Sequence, residues 1–250
     1  MSFRNEHFLA IEKSHKIQNY FYEIPTHSSI GMTALFFKKA IGFTLVFVCF
    51  IFTSYGQKTT KNFFTPTKYG IQFSQGNENS FLFDDPDYFY RSHTVKGQLY
   101  FPITKLKTVE ISFIVQPQVQ FAEHQLYNEQ FVLPSVVDFL EKRERYTKLK
   151  NLSITAVEFS VEAKQELFRS FSIFLQVGLG FSYIDTETER LAKGFTFIEN
   201  GNLGFEIKFT SKISFQFFGG FGHVSNLNFK QPNSGYSIFN TGVSLQYVLK

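Results

Sequence analysis

Between Phe221 and Ser234 the chain reads F-G-H-V-S-N-L-N-F-K-Q-P-N-S, at the end of an alternating, aromatic-rich run. His223 and Ser225 are separated there by one residue. In a β-strand, residues i and i+2 point to the same face. An imidazole and a hydroxyl would then stand side by side. Serine becomes a useful nucleophile when a neighbouring base takes its proton. His223 is the candidate base, and Ser225 the candidate nucleophile for an acyl carbonyl. The oxyanion formed by that attack needs hydrogen-bond donors. Asn226 and Asn233 are the side-chain candidates, and Gly235 with nearby backbone amides could add to them.

The elements that must position these groups are strands. From Val109 to Phe121, apolar residues at 109, 111, 113, 115, 119 and 121 alternate with polar ones, with Ile114 as the exception. From Ser170 to Ile184, large apolar residues alternate with Ser172, Gln176, Gly178, Gly180 and Ser182. Runs of this length exceed an ordinary soluble strand of about 5–6 residues. They suffice to cross a bilayer at the usual tilt. Eight such segments are expected, near 68–75, 93–103, 107–121, 152–164, 170–184, 195–209, 213–225 and 236–249. Short gaps near 104–106, 165–169 and 210–212 alternate with long ones near 76–92, 122–151, 185–194 and 226–235. Short periplasmic turns and long outer loops mark a transmembrane barrel, and an even strand number puts both ends on the periplasmic side. Within the longest gap, Pro134 to Tyr146 reads as a short amphipathic helix.

Parity on the seventh segment decides where the chemistry faces. Ile213, Phe215, Phe217 and Phe221 share odd numbering with Gly219, His223 and Ser225. The site therefore faces the membrane. That is a poor place for a soluble substrate and a good one for a lipid ester at the outer-leaflet boundary.

Composition agrees with a membrane barrel. Phe is extreme at 35 of 250 residues, yet mean hydropathy is only −0.10, as expected when half of each strand is polar. Ala40 to Thr53 is an uninterrupted apolar run after Lys38 and Lys39. It is shorter than the roughly 20 residues a spanning helix needs. With the small-residue exit at Gly56/Gln57 it reads as a signal peptide over 32–56. Residues 1–31 then read as an extension ahead of Met32 that is not native, and 57–250 as the barrel domain. The single cysteine, Cys49, falls inside the apolar run, so no disulfide or thiolate metal site is expected in the barrel. The net charge is +4 without a basic stripe, which gives no argument for nucleic acid. His7, His15 and His27 precede the apolar run, and His93 and His124 lie at strand ends. No spacing suggests a metal, and no cofactor is expected.

The H-V-S-N run and the following P-N-S-G turn resemble the active-site segment of the outer-membrane lipid A 3-O-deacylases, the PagL-type acyloxyacyl hydrolases. The matching positions here are His223, Ser225 and Asn226, then Pro232, Asn233 and Gly235. The resemblance implies an eight-stranded barrel, His223 as base, Ser225 as nucleophile and Asn233 in the oxyanion hole. It also implies a lipid A substrate within lipopolysaccharide of the outer leaflet. One position departs from the family. Two residues after the turn glycine, where a glutamate orients the histidine, this chain has Ser237. A substitute is available on the neighbouring segment. If Phe209 pairs with Ile213 across the tight turn, Glu199 falls opposite His223 on the same face, about 5 Å away. Glu199 is the candidate acid.

The expected protein is an all-β, eight-stranded antiparallel transmembrane barrel behind a signal peptide. Its expected activity is removal of an ester-linked acyl chain, at the 3 position, from lipid A. The alternative is a non-catalytic OmpX- or OmpA-like barrel with a structural or adhesive role. The sequence leaves monomer and homodimer open.

Overall fold

The computed structural model describes residues 65–79 and 85–249. The expectations for 1–31, for the signal peptide at 32–56 and for the first residues of the barrel domain lie outside them. Eight strands follow one another in chain order. They are β1 (Lys68–Asn77), β2 (Tyr88–Leu106), β3 (Val109–Leu126), β4 (Lys150–Phe168), β5 (Phe171–Ile184), β6 (Gly194–Lys208), β7 (Ile213–Ser225) and β8 (Tyr236–Val248). Each pairs antiparallel with its neighbour, and β8 closes on β1 through partners from Lys68↔Val248 to Asn77↔Phe239. Closure leaves no unpaired edge, which is what allows a sheet to sit in hydrocarbon.

The strands form because of their period-2 pattern, and the pattern decides which side meets which medium. On the outside, Phe73, Phe121, Phe181, Leu203 and Phe221 stand exposed. So large an apolar belt would drive association in water. It suits an outer surface facing lipid tails. The lower interior is polar and densely hydrogen-bonded. Lys96 Nζ meets Glu158 Oε2 at 2.7 Å, and Gln116, Gln118 and Asn200 donate to the same carboxylate. Gly178 makes room for that cluster, since a Cβ there would collide with Glu158 Oε1 and Ser160 Oγ. Above it, an apolar cluster that includes Tyr90, Ile154, Ile184, Leu191, Ile198, Val224 and Tyr236 fills the mouth. A cavity between the two layers measures about 20 Å³, room for a single water.

Three strands are longer than the alternation alone suggests. β2 begins at Tyr88, β3 ends at Leu126 and β4 begins at Lys150. Outward charges such as Arg91 and Glu123 resemble loop residues in sequence, but they pair across the strands at 2.6 Å. The β2–β3 turn lies at Lys107–Thr108 rather than 104–106, with Lys107 in the left-handed region at φ 55°. A register shift between Pro102 and Thr104 absorbs the difference. In the β3–β4 loop, helix α1 spans only Phe139–Tyr146, after a 3₁₀ turn at Glu129–Phe131. The expected start at Pro134 fails because Val136 N–H closes a turn on Leu133 and Asp138 is left-handed at φ 59°. The loop has its own small core of Leu126, Val132 and Tyr146.

Candidate active site

β6, β7 and β8 bring three outward side chains into one row. The tight turn between β6 and β7 closes with Phe209 N–H donating to Ile213 O at 2.9 Å. Counting up from it, Glu199 pairs with His223. On the other side, His223 pairs with Ser237 of β8. Directly opposed residues share a face, so Glu199, His223 and Ser237 all lie on the lipid side of the wall.

The contact within this row that defines the imidazole is with Ser237. His223 Nδ1 and Ser237 Oγ are 2.9 Å apart. The position where the resembling family has a glutamate is thus occupied by a hydroxyl already engaged with the histidine. Glu199 makes no hydrogen bond among the described residues, although it stands next to His223 in register. Ser225 ends β7 opposite Phe197 and is only 8% exposed, although its neighbours of the same parity face outward. The loop that follows covers it, with Phe229 against Phe197 at 6.1 Å between ring centroids.

That loop, residues 226–235, is built on its asparagines. Asn226 is buried and its polar groups are used within the loop. Its backbone N–H donates to Asn233 Oδ1 at 2.7 Å, its Nδ2 donates to Lys230 O at 2.7 Å, and its Oδ1 accepts from Asn228 N–H at 3.1 Å. Asn233 is half-buried, and its Nδ2 donates to Asn228 Oδ1 at 3.2 Å, leaving a second hydrogen on that amide. Gly235 N–H donates to Arg190 O at 3.0 Å and Ser234 N–H to the same oxygen at 2.7 Å. These two backbone amides serve the fold. Asn233 is therefore the predicted donor with capacity for a ligand, while Asn226 holds Asn233 in place.

Gly235 has a second, steric role. At φ +70° it adopts a conformation that L side chains rarely take. A Cβ there would lie 3.0 Å from His223 Cε1 and 3.2 Å from Nε2. The turn thus packs its backbone against the Cε1–Nε2 edge of the imidazole and against Val224 O, which is a reason for glycine at this position.

Sequence reasoning places Glu199 beside His223 but misses the Ser237 contact and the part played by the β5–β6 loop. The resemblance marks position 237, but no local signal reports the contact or the part of Arg190. Ser237 lies across a ten-residue loop, and Arg190 precedes Gly235 by 45 positions.

The sequence model of the family described as lipid A 3-O-deacylase (PagL) matches residues 131–246. The resemblance carried by the His-x-Ser-Asn and Pro-Asn-x-Gly runs is therefore present from the β3–β4 loop into β8. None of the curated proteins matches the chain. Among solved structures, that of the outer membrane enzyme PagL has a TM-score of 0.46 at 10% identity, covering 71% of this chain and 97% of that one. Neisserial surface protein A gives 0.41 at 8% identity, over 74% of this chain and 98% of its own. The outer membrane protein AlkL gives 0.36 at 11%, over 78% and 95%.

Proposed function

We propose that this protein is an outer-membrane serine esterase that removes an ester-linked acyl chain, at the 3 position, from lipid A. The observation that carries the reading is the 2.9 Å contact of His223 Nδ1 with Ser237 Oγ on the lipid-facing wall, with His223 two positions before Ser225. In this reading Nδ1–H donates to Ser237 Oγ and Nε2 is the ring atom that takes the proton. The family match over 131–246 supports the substrate class.

In this reading Ser225 Oγ bonds to the acyl carbonyl carbon while His223 takes the hydroxyl proton. Asn233 Nδ2 donates to the oxyanion, a contribution typically worth about 10²–10³ in rate. The ester C–O bond then breaks, and the imidazolium returns its proton to the departing sugar oxygen. Water, deprotonated by His223, hydrolyses the acyl-enzyme and releases a fatty acid. Glu199, on the other side of His223, stabilises the imidazolium through space, as a carboxylate partner does in other serine hydrolases.

The wall below the site suits an acyl chain. A shallow outer hollow of about 670 Å³ crosses β6, β7, β8, β1 and β2, with Gly219 and Thr241 between Leu203, Phe217, Phe73 and Val243. Gly219 lies on β7 four residues below His223. The start of β1 and the end of β8 lie at the opposite end of the barrel from the site, and in this reading that end faces the periplasm.

Mass spectrometry of lipid A from cells expressing the protein tests this. Loss of one acyl chain is expected with the native sequence and not with Ser225→Ala. Unchanged lipid A with the native, correctly inserted protein would favour the non-catalytic barrel.

A further inference from the structure

Gly235 is packed against His223, so whatever fixes the Pro232–Gly235 turn also fixes the imidazole. The turn is not held by its own loop alone. It is held by the β5–β6 connection, residues 185–193, which runs across the barrel mouth as a strap. Ala192 N–H donates to Pro232 O at 2.9 Å, and Leu191 bridges Asn233. Arg190 grips the turn on both sides of Gly235. Its carbonyl accepts the Ser234 and Gly235 amides, and its Nε donates to Gly235 O at 2.9 Å.

Arg190 is in turn fixed to the rim. Its guanidinium lies 4.1 Å from the centre of the Tyr88 ring and pairs with Asp85 at 3.2 Å. Only 13% of the side chain is exposed. Thr188 Oγ1 accepts its backbone N–H at 3.3 Å and is itself within hydrogen-bond reach of Tyr236 OH. The preceding residue, Glu189, is anchored to buried His124 at 2.9 Å. A planar fork is required here. One edge donates to a carbonyl, another meets a carboxylate, and the face stacks on an aromatic ring.

We propose that Arg190 is a positioning residue for the esterase reaction, holding the Gly235 turn so that the imidazole edge and the Asn233 amide keep their geometry toward the ester. This rests on the functional reading above. Arg190 does not touch the reacting atoms. It acts through Gly235 and through the bridge from Leu191 to Asn233.

The test compares Arg190→Lys, Arg190→Gln and Arg190→Ala with the native protein on purified lipopolysaccharide in detergent. Folding is read from the mobility of the unheated barrel on gels. A small misplacement of a catalytic group costs up to about 10²-fold, so kcat is expected to fall roughly 10- to 100-fold with KM near the native value. Millimolar methylguanidinium is expected to restore part of the activity of Arg190→Ala and none of Ser225→Ala. A native kcat in Arg190→Lys, or a loss confined to KM, overturns the proposal. If Arg190→Gln and Arg190→Ala fail to fold, Arg190→Lys carries the test, since it keeps the charge and the apolar stem. If the native protein itself releases no acyl chain, the esterase reading fails. Positioning is then read from the His223 imidazole NMR signals, which must shift or broaden in Arg190→Lys. Identical signals would overturn it.

Discussion

Two carboxylates on nearby strands show how differently the inside and outside of this wall treat charge. Glu158 of β4 faces inward and is fully buried. It receives Lys96, Gln116, Gln118, Ser160 and Asn200. Glu199 of β6 faces outward, beside His223, and makes no hydrogen bond among the described residues. Two consecutive residues of β6 divide these roles. Asn200 points in and serves Glu158, while Glu199 points out toward the imidazole. An internal charge with every lone pair occupied is part of the architecture. A half-buried charge on a lipid-facing wall costs desolvation energy without visible structural return. Its place in register with His223 fits the part of acid in the proposed reaction.

Removing the inner carboxylate should produce the largest effect, and it should be on folding. Glu158→Leu leaves Lys96 buried without its partner, a loss of about 3–5 kcal/mol. Urea unfolding of the barrel in liposomes would show it, and adding Lys96→Met should recover most of the loss. At the outer site the effect on folding should be smaller and the effect on turnover larger. Gly235→Ala should destabilise the barrel by more than about 1 kcal/mol, because φ is +70° and the methyl meets Val224 O, while deacylation falls about 10²-fold as the same methyl presses on the imidazole. A Gly235→Ala variant with native turnover would mean that the turn does not set the imidazole. Glu199→Gln should reduce turnover roughly 10-fold with no change in unfolding, from the loss of a charged neighbour. Undiminished turnover would remove Glu199 from the mechanism. Ser237→Ala should have the smallest effect, about 5-fold, since one neutral hydrogen bond is lost. If Ser237→Ala costs far more than Glu199→Gln, the hydroxyl rather than the carboxylate is the main partner of His223.

The barrel was readable in the sequence because the strand pattern has a period of two and a membrane enforces it on nearly every outward position. The Glu199–His223 pairing was readable for a related reason. A tight turn at 210–212 fixes register, and no bulge interrupts β6 and β7. Where connections are long, register cannot be counted across them. The ten residues between β7 and β8 hid the closeness of Ser237 to Nδ1, although the position itself was marked by the resemblance. Arg190 was invisible for a stronger reason. Its partners are Asp85 just before β2, Tyr88 at the start of β2 and Gly235 in the β7–β8 loop, which come together only at the barrel mouth. The hydrogen bonds that the Ser234 and Gly235 amides donate to Arg190 O depend on that same meeting.

Ring closure has a consequence for when the protein can work. Glu199, His223 and Ser237 belong to three different strands, and the turn that steadies them is strapped from a fourth connection. A newly made chain in transit holds every one of these side chains but none of their alignment. If the proposed esterase reaction holds, its competence would therefore arise only with closure of the ring.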